Sequence, residues 1–113
     1  PEISCIGLPE DEAREKFGDG VLIGMAPFEE IARGQISGIQ DGLLKLVSSP
    51  DGEKILGVHI IGEGSTELIH VAQMAIIGNL PLDTFIENVM NFPTLAEAYR
   101  VAAIDIKNQL KKK

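Results

Sequence analysis

Gly42-Leu43-Leu44-Lys45-Leu46-Val47-Ser48-Ser49-Pro50-Asp51-Gly52-Glu53-Lys54-Ile55-Leu56-Gly57-Val58-His59-Ile60-Ile61 reads as two strands joined by a tight turn. Proline presets its own backbone angle and glycine accepts a positive one, so Pro50-Asp51-Gly52 is turn chemistry with a mechanism. On the second strand Leu56, Val58 and Ile60 fall on one face, and Ile55, Gly57, His59 and Ile61 on the other. Both sets are largely apolar, which predicts a sheet covered on both sides. His59 has no carboxylate near it in sequence and is expected to be packed or at a rim rather than to carry protons.

Working back from the hairpin, residues 2 to 7 read as a short strand ending at Gly7, with Cys5 in the apolar run Ile3-Ser4-Cys5-Ile6 where a small buried residue would serve. Pro9 suits a first helical position, and Glu10, Asp11 and Glu12 crowd the positive end of the helix dipole, so they are read as a solvated helix start. Gly18 and Gly20 stop that helix. A second strand, Val21 to Met25, and a helical turn from Phe28 to Arg33 lead into Gln35-Ile36-Ser37-Gly38.

Past the hairpin, Gly62-Glu63-Gly64 breaks the strand, and Ser65 or Thr66 is placed to cap a helix running to about Gly78. That loop lacks the full phosphate-binding glycine spacing and carries a negative Glu63. The helix is apolar over most of its circumference, with only Glu67, His70 and Gln73 as a polar line, which predicts burial on nearly all sides and contact with another subunit. Glu67 and His70 share a helical face, but no nucleophile stands beside them, so a surface hydrogen bond is expected. Pro81 opens a short helix through Leu82, Phe85, Ile86, Val89 and Met90. Pro93 then forces Phe92 out of helical conformation, and Thr94 with Glu97 spells a capping box for a final helix whose stripe is Leu95, Ala98, Tyr99, Ala102 and Ile106. Strand pairs interspersed with helices predict an α+β fold with a small, mainly antiparallel sheet.

The 113 residues, 44% of them hydrophobic, suit one compact domain with a core, spanning 1–113 with a basic tail at 111–113. Seventeen acidic against ten basic residues give a net charge of −7, which disfavours phosphate-backbone binding because nucleic-acid affinity rests on clustered cations. The single cysteine admits neither an intramolecular disulfide nor a Cys/His metal site, and it favours a reducing, cytoplasmic setting. No apolar run is long enough to span a bilayer. The opening Pro1-Glu2, without an initiator methionine, reads as a processed product or a piece of a longer polypeptide.

Three ordered motifs, Pro1-Glu2-Ile3-Ser4, the run from Ile60 to His70, and Asn91-Phe92-Pro93-Thr94-Leu95-Ala96-Glu97, resemble one family across nearly the whole chain. It is the C-terminal dimerisation domain of the FAD-dependent pyridine nucleotide-disulfide oxidoreductases, which include dihydrolipoamide dehydrogenase, glutathione reductase and mercuric reductase. The resemblance implies a small antiparallel sheet flanked by helices, a homodimer, and FAD- and NAD(P)-binding domains elsewhere in the same polypeptide. It also implies a cis Phe92-Pro93 peptide. Thiol-handling members carry a His directly before this Pro, oriented by the Glu matching Glu97; here Phe92 stands there, and a hydrocarbon ring cannot transfer a proton. The longer run through Ala103, and Ile31-Ala32-Arg33-Gly34-Gln35-Ile36, are most similar to the soluble pyridine nucleotide transhydrogenase branch, whereas Gly62 to His70 is more like dihydrolipoamide dehydrogenase.

The resemblance therefore implies hydride transfer between nicotinamides by way of FAD in a full-length parent, with no catalytic side chain and no metal in this chain. Phe92 and Pro93 are expected beside the partner subunit's FAD, with Thr94 and Glu97 supporting them as helix caps. The isolated chain is expected to be inactive and to bind neither FAD nor NAD(P). A disulfide reductase of the same family and a stand-alone, non-catalytic dimerisation module are the alternatives.

Overall fold

The hairpin forms as read and becomes the centre of the sheet. In the computed structural model, which describes residues 2–88 and 90–112, its strands are β3 (Leu43–Ser48) and β4 (Ile55–Ile61). The Gly52 amide donates to the Ser49 carbonyl at 2.8 Å with Gly52 at φ 73°, so the turn needs a residue without a Cβ clash. Asp51 holds the turn from inside, accepting from the Ser49 hydroxyl and from the Glu53 amide, and the same contacts lower its carboxyl pKa, the Ser49 bond most.

β1 (Ile3–Gly7) pairs antiparallel with β4, and β2 (Leu22–Pro27) with β3, giving the order β1-β4-β3-β2. The helices are α1 (Glu10–Phe17), α2 (Ala32–Ser37), α3 (Ser65–Ile77), α4 (Thr84–Glu87) and α5 (Glu97–Lys111), and a 3₁₀ turn occupies Phe28–Glu30. The predicted α+β class and antiparallel sheet hold. Pro9 sits one position before the helix rather than in it, the Gln35 to Ser37 segment is helical, and Pro81 bridges Lys54 instead of opening a helix. Of the residues assigned to that short helix, Val89 lies outside the described residues.

α3 and α5 cover one face of the sheet. Beneath them Ala26, Leu44, Leu46, Val58 and Ile60 join Phe28, Leu68, Ala72, Phe85, Ala98, Tyr99, Ala102 and Ile106 in the main core. α5 approaches β2 so closely that a Cβ on Gly24 would overlap the Ala102 carbonyl and the Ile106 side chain. α5 also satisfies the outer edge of β2: Asp105 accepts from the Met25 amide at 3.0 Å, and the Gln109 amide donates to the Ile23 carbonyl at 2.8 Å.

The other face departs from expectation. α1 covers only one end of it, where Ala13, Val21, Val47 and Leu56 form a second, small cluster. Leu56 belongs to that cluster and not with Val58 and Ile60, because Val47 faces Gly57 while Ser48 faces Ile55. Leu56 is thus the extra residue of a bulge, and the bulge turns its side chain to the opposite face. Beyond α1 the face is open, and Cys5 is exposed there rather than buried.

Gly24→Ala should drive the α5 backbone off β2 and cost about 3 kcal/mol. A thermal melt followed by circular dichroism is expected to show Tm falling by roughly 10 °C, with the fold retained below it.

Candidate functional site

The corner at Phe92 is built by the ends of two helices. The Asn88 side chain donates to the Thr84 carbonyl at 2.8 Å, closing α4, and the Phe92–Pro93 peptide is cis, as the family resemblance implied. Phe92 is 75% exposed, the most exposed of the chain's large apolar side chains among the described residues.

The capping box does not form. Thr94 Oγ1 accepts instead from the Ala96 amide at 3.2 Å, one residue short of the Glu97 amide, so the N-cap falls at Ala96 and the helix begins at Glu97. Its first amides bond three residues back: Glu97 to the Thr94 carbonyl at 3.3 Å, Ala98 to Leu95 at 3.0 Å and Tyr99 to Ala96 at 3.1 Å. A tight first turn therefore replaces side-chain capping. Glu97 lies in a small depression of about 180 Å³ with Ile86, Glu87, Asn88 and Arg100, and Arg100 Nε donates to the Ile86 carbonyl at 3.3 Å. Thus Phe92, Pro93, Thr94 and Glu97 make one corner that offers a hydrocarbon ring and rigid backbone but no acid or base at position 92.

α3 is the second exposed feature. Leu68, Ala72 and Ala75 are buried, yet Met74 is 59% and Ile77 69% exposed, and His70 lies in line with them. The expectation of burial on nearly all sides fails for the single chain because the sheet occupies only the inner side of α3; the outer side is exposed, polar at Thr66, Glu67 and His70 and apolar at Met74 and Ile77. His70 Nδ1 pairs with Gln73 Oε1 at 2.8 Å rather than with Glu67, as a surface hydrogen bond. His59 Nε2 donates to the Leu8 carbonyl at 3.1 Å and is partly buried, which makes it a tie between β4 and the turn before α1.

Two residues whose ties to α3 the sequence does not announce, Glu2 and Tyr99, fix that helix in place. Neither Ser65 nor Thr66 is the N-cap of α3; that position is Gly64, with φ 88°. The carboxylate of Glu2, 62 or more residues away in sequence, accepts from the Gly64 amide at 3.1 Å, the Thr66 amide at 3.2 Å and the Thr66 hydroxyl at 2.7 Å. These contacts, the Thr66 hydroxyl first, hold the Glu2 carboxyl below the usual range. The anion-binding end of the helix is therefore taken by the chain's own carboxylate, which removes the phosphate-cradle reading of Gly62-Glu63-Gly64. From the other side the buried Tyr99 hydroxyl donates to the Leu68 carbonyl at 2.5 Å and accepts from the Ala72 amide at 3.3 Å, and its ring packs on Phe85 with centroids 4.9 Å apart. Burial pushes the phenol pKa far up. No local sequence signal marks Glu2 as a cap; for Tyr99 the signal was a lone polar tip in an apolar stripe.

Glu10, read as part of a solvated helix start, instead accepts from Lys45 at 2.7 Å and pairs with Arg14 at 2.9 Å, and both hold its carboxyl low, Lys45 the more. Among the described residues no group of three or more His, Cys, Asp and Glu is placed to hold a metal. None of the helices there is long and apolar enough to cross a membrane.

Residues 1–103 match the model of the pyridine nucleotide-disulphide oxidoreductase dimerisation domain. The chain belongs to this family. It is 39% identical to proteins named soluble pyridine nucleotide transhydrogenase from Mycobacterium bovis, over 98% of this chain, and from Hamiltonella defensa, over 97%. It is 40% identical to the protein of that name from Yersinia pestis. In each case the chain spans only 24% of the relative's length. Among solved structures, the HOCl-induced flavoprotein disulfide reductase RclA of Escherichia coli superposes with a TM-score of 0.83 at 23% identity, over 92% of this chain and 23% of that one. LpdA from Mycobacterium tuberculosis superposes with a TM-score of 0.80 at 20% identity, over 92% of this chain and 22% of its own. At these identities the superpositions establish the fold.

Because folding lowers the Glu2 pKa, its contribution to stability is present above the ordinary glutamate value and is lost as pH falls through the lowered one. Glu2→Gln should melt below the parent chain at pH 7, and the gap should close on acidification below about pH 4. Tm measured against pH for both chains checks this; a constant gap would show that the carboxylate charge is not what caps α3.

Proposed function

We propose that this chain is the homodimerisation domain of a flavin-dependent soluble pyridine nucleotide transhydrogenase, and that its Phe92 corner completes the flavin site of the partner subunit. In this reading residues 1–113 form one domain of a longer, cytoplasmic polypeptide that supplies the FAD- and NAD(P)-binding domains. The observation that carries it is Phe92: a ring 75% exposed on a cis-proline corner, at the position where the resemblance puts a proton-carrying His in thiol-handling members. The names of the 39%-identical relatives support the same branch.

The corner fits a cofactor edge chemically. An exposed flat hydrocarbon can lie against a planar ring system and exclude water from it, and the backbone around Pro93 is held by α4 and α5 on either side. FAD, when bound, would supply the acceptance and donation of hydride. This chain's part is to orient and to shield: Phe92 and Pro93 present the surface, the Thr94 hydroxyl shapes the turn behind them, and Glu97 starts α5, with no His at position 92 to orient. Hydride transfer needs no thiol acid-base group, so a hydrocarbon at position 92 is no handicap. The exposed stripe His70, Met74 and Ile77 on α3 is the surface this reading gives to the second copy. A disulfide reductase is the second reading, favoured by the resemblance of Gly62 to His70 to dihydrolipoamide dehydrogenase.

The test uses the full-length, FAD-loaded protein. NADPH should reduce an NAD analogue, whereas dihydrolipoamide and small disulfides should be turned over far more slowly. Phe92→His should leave nicotinamide-to-nicotinamide transfer within about tenfold, or about 1.4 kcal/mol of barrier. Disulfide turnover faster than nicotinamide transfer in the parent protein would decide for the second reading.

A further inference from the structure

Phe92 stands midway between two buried aromatic residues, seven positions after Phe85 of α4 and seven before Tyr99 of α5. The two rings pack with centroids 4.9 Å apart, so the stems of the loop that carries Phe92 meet at this pair. The Arg100 to Ile86 hydrogen bond and an ion pair from Lys107 to Asp83 at 3.0 Å tie the same stems at the surface. Tyr99 reaches further. Among the described residues, its hydroxyl alone makes hydrogen bonds between α5 and α3.

That hydroxyl is not required by α3. Leu68 and Ala72 stand four residues apart, so the carbonyl and amide it touches are the acceptor and donor of a single rung of the helical ladder, and would pair with each other without it. Nor is it required by the packing, since phenylalanine would offer the same ring to Phe85 and bring no polar atom into the core. A buried hydroxyl that no unpaired group needs adds direction rather than polar satisfaction: it fixes where α5 lies along α3. The Phe85 ring passes that setting on to α4, and Phe92 hangs between the two stems. We infer that Tyr99 is a positioning residue whose hydroxyl, acting through α3 and Phe85, holds Phe92 at a set place on its corner. The inference rests on the reading under Proposed function only in taking a flavin as the group that Phe92 is held against.

In the full-length, FAD-loaded protein, Tyr99→Phe removes one oxygen atom and keeps the ring. Amide hydrogen exchange followed by mass spectrometry reads the corner through a peptide covering residues 90–96, with β4 as internal reference. Iodide quenching of flavin fluorescence reads the shield, with Phe92→Ala for comparison. Exchange over 90–96 should rise at least about threefold while β4 is unchanged, and quenching should shift in the direction of Phe92→Ala. Unchanged exchange at the corner would overturn the inference. So would a rise shared equally by β4, which marks a hydroxyl serving general stability, and so would a Tyr99→Phe protein that fails to fold, because α3 would then need the phenol. A flavin exposed by Phe92→Ala and not by Tyr99→Phe would overturn it too. Faster exchange at the corner, with quenching that neither variant alters, would leave Tyr99 positioning Phe92 and remove the flavin reading instead.

Discussion

Tyr99 places one hydroxyl between the Leu68 carbonyl and the Ala72 amide, and the positions of the exposed surfaces depend on that contact. The phenol belongs to the first turn of α5, seven residues after Phe92, and its two partners lie on the inner side of α3, opposite Met74 and Ile77. The corner and the stripe are therefore tied to one another through a single buried side chain rather than through the sheet. An unpaired hydroxyl in that core would carry the full cost of desolvation, so α3 has one favoured seating against α5 and resists sliding along it.

Glu2 works from the other end. Its carboxylate joins the start of β1 to the start of α3, and an anion at a helix N-terminus also complements the dipole. With Tyr99 inside the second turn and Glu2 on the first, α3 is fixed both along and around its axis. In the proposed dimer that fixity would keep one stripe facing the second copy, because a turn of a few tens of degrees would exchange Met74 and Ile77 for neighbouring side chains.

Much of this was legible in the chain alone, and the failures share a cause. Pro50-Asp51-Gly52, the periodicity of α5 and the cis corner at Phe92 are local or motif-borne signals, and each came out as read. The capping box at Thr94 and Glu97 failed although its spacing was right, because the turn left by Pro93 delivers the hydroxyl to Ala96 first. Leu56 was misplaced because a bulge adds a residue that strict alternation cannot foresee. Local rules put the caps of α3 at Ser65 and Thr66, whereas the true partner, Glu2, comes from 62 or more residues away. The apolar character of the second sheet face and of α3 was read correctly; their covering was not, because α1 reaches only one end of that face and the sheet meets only the inner side of α3.

The hydrogen bonds from Asp105 and Gln109 of α5 to the rim of β2 have a consequence for assembly. They occupy backbone groups that a fifth strand would need, leaving β1 as the sheet's other edge. A sheet with one blocked end can be continued in one direction at most, and an antiparallel β1-to-β1 meeting would use up the free edge of both chains. Whatever else this domain joins, open-ended fibril growth by strand addition is closed to its folded form.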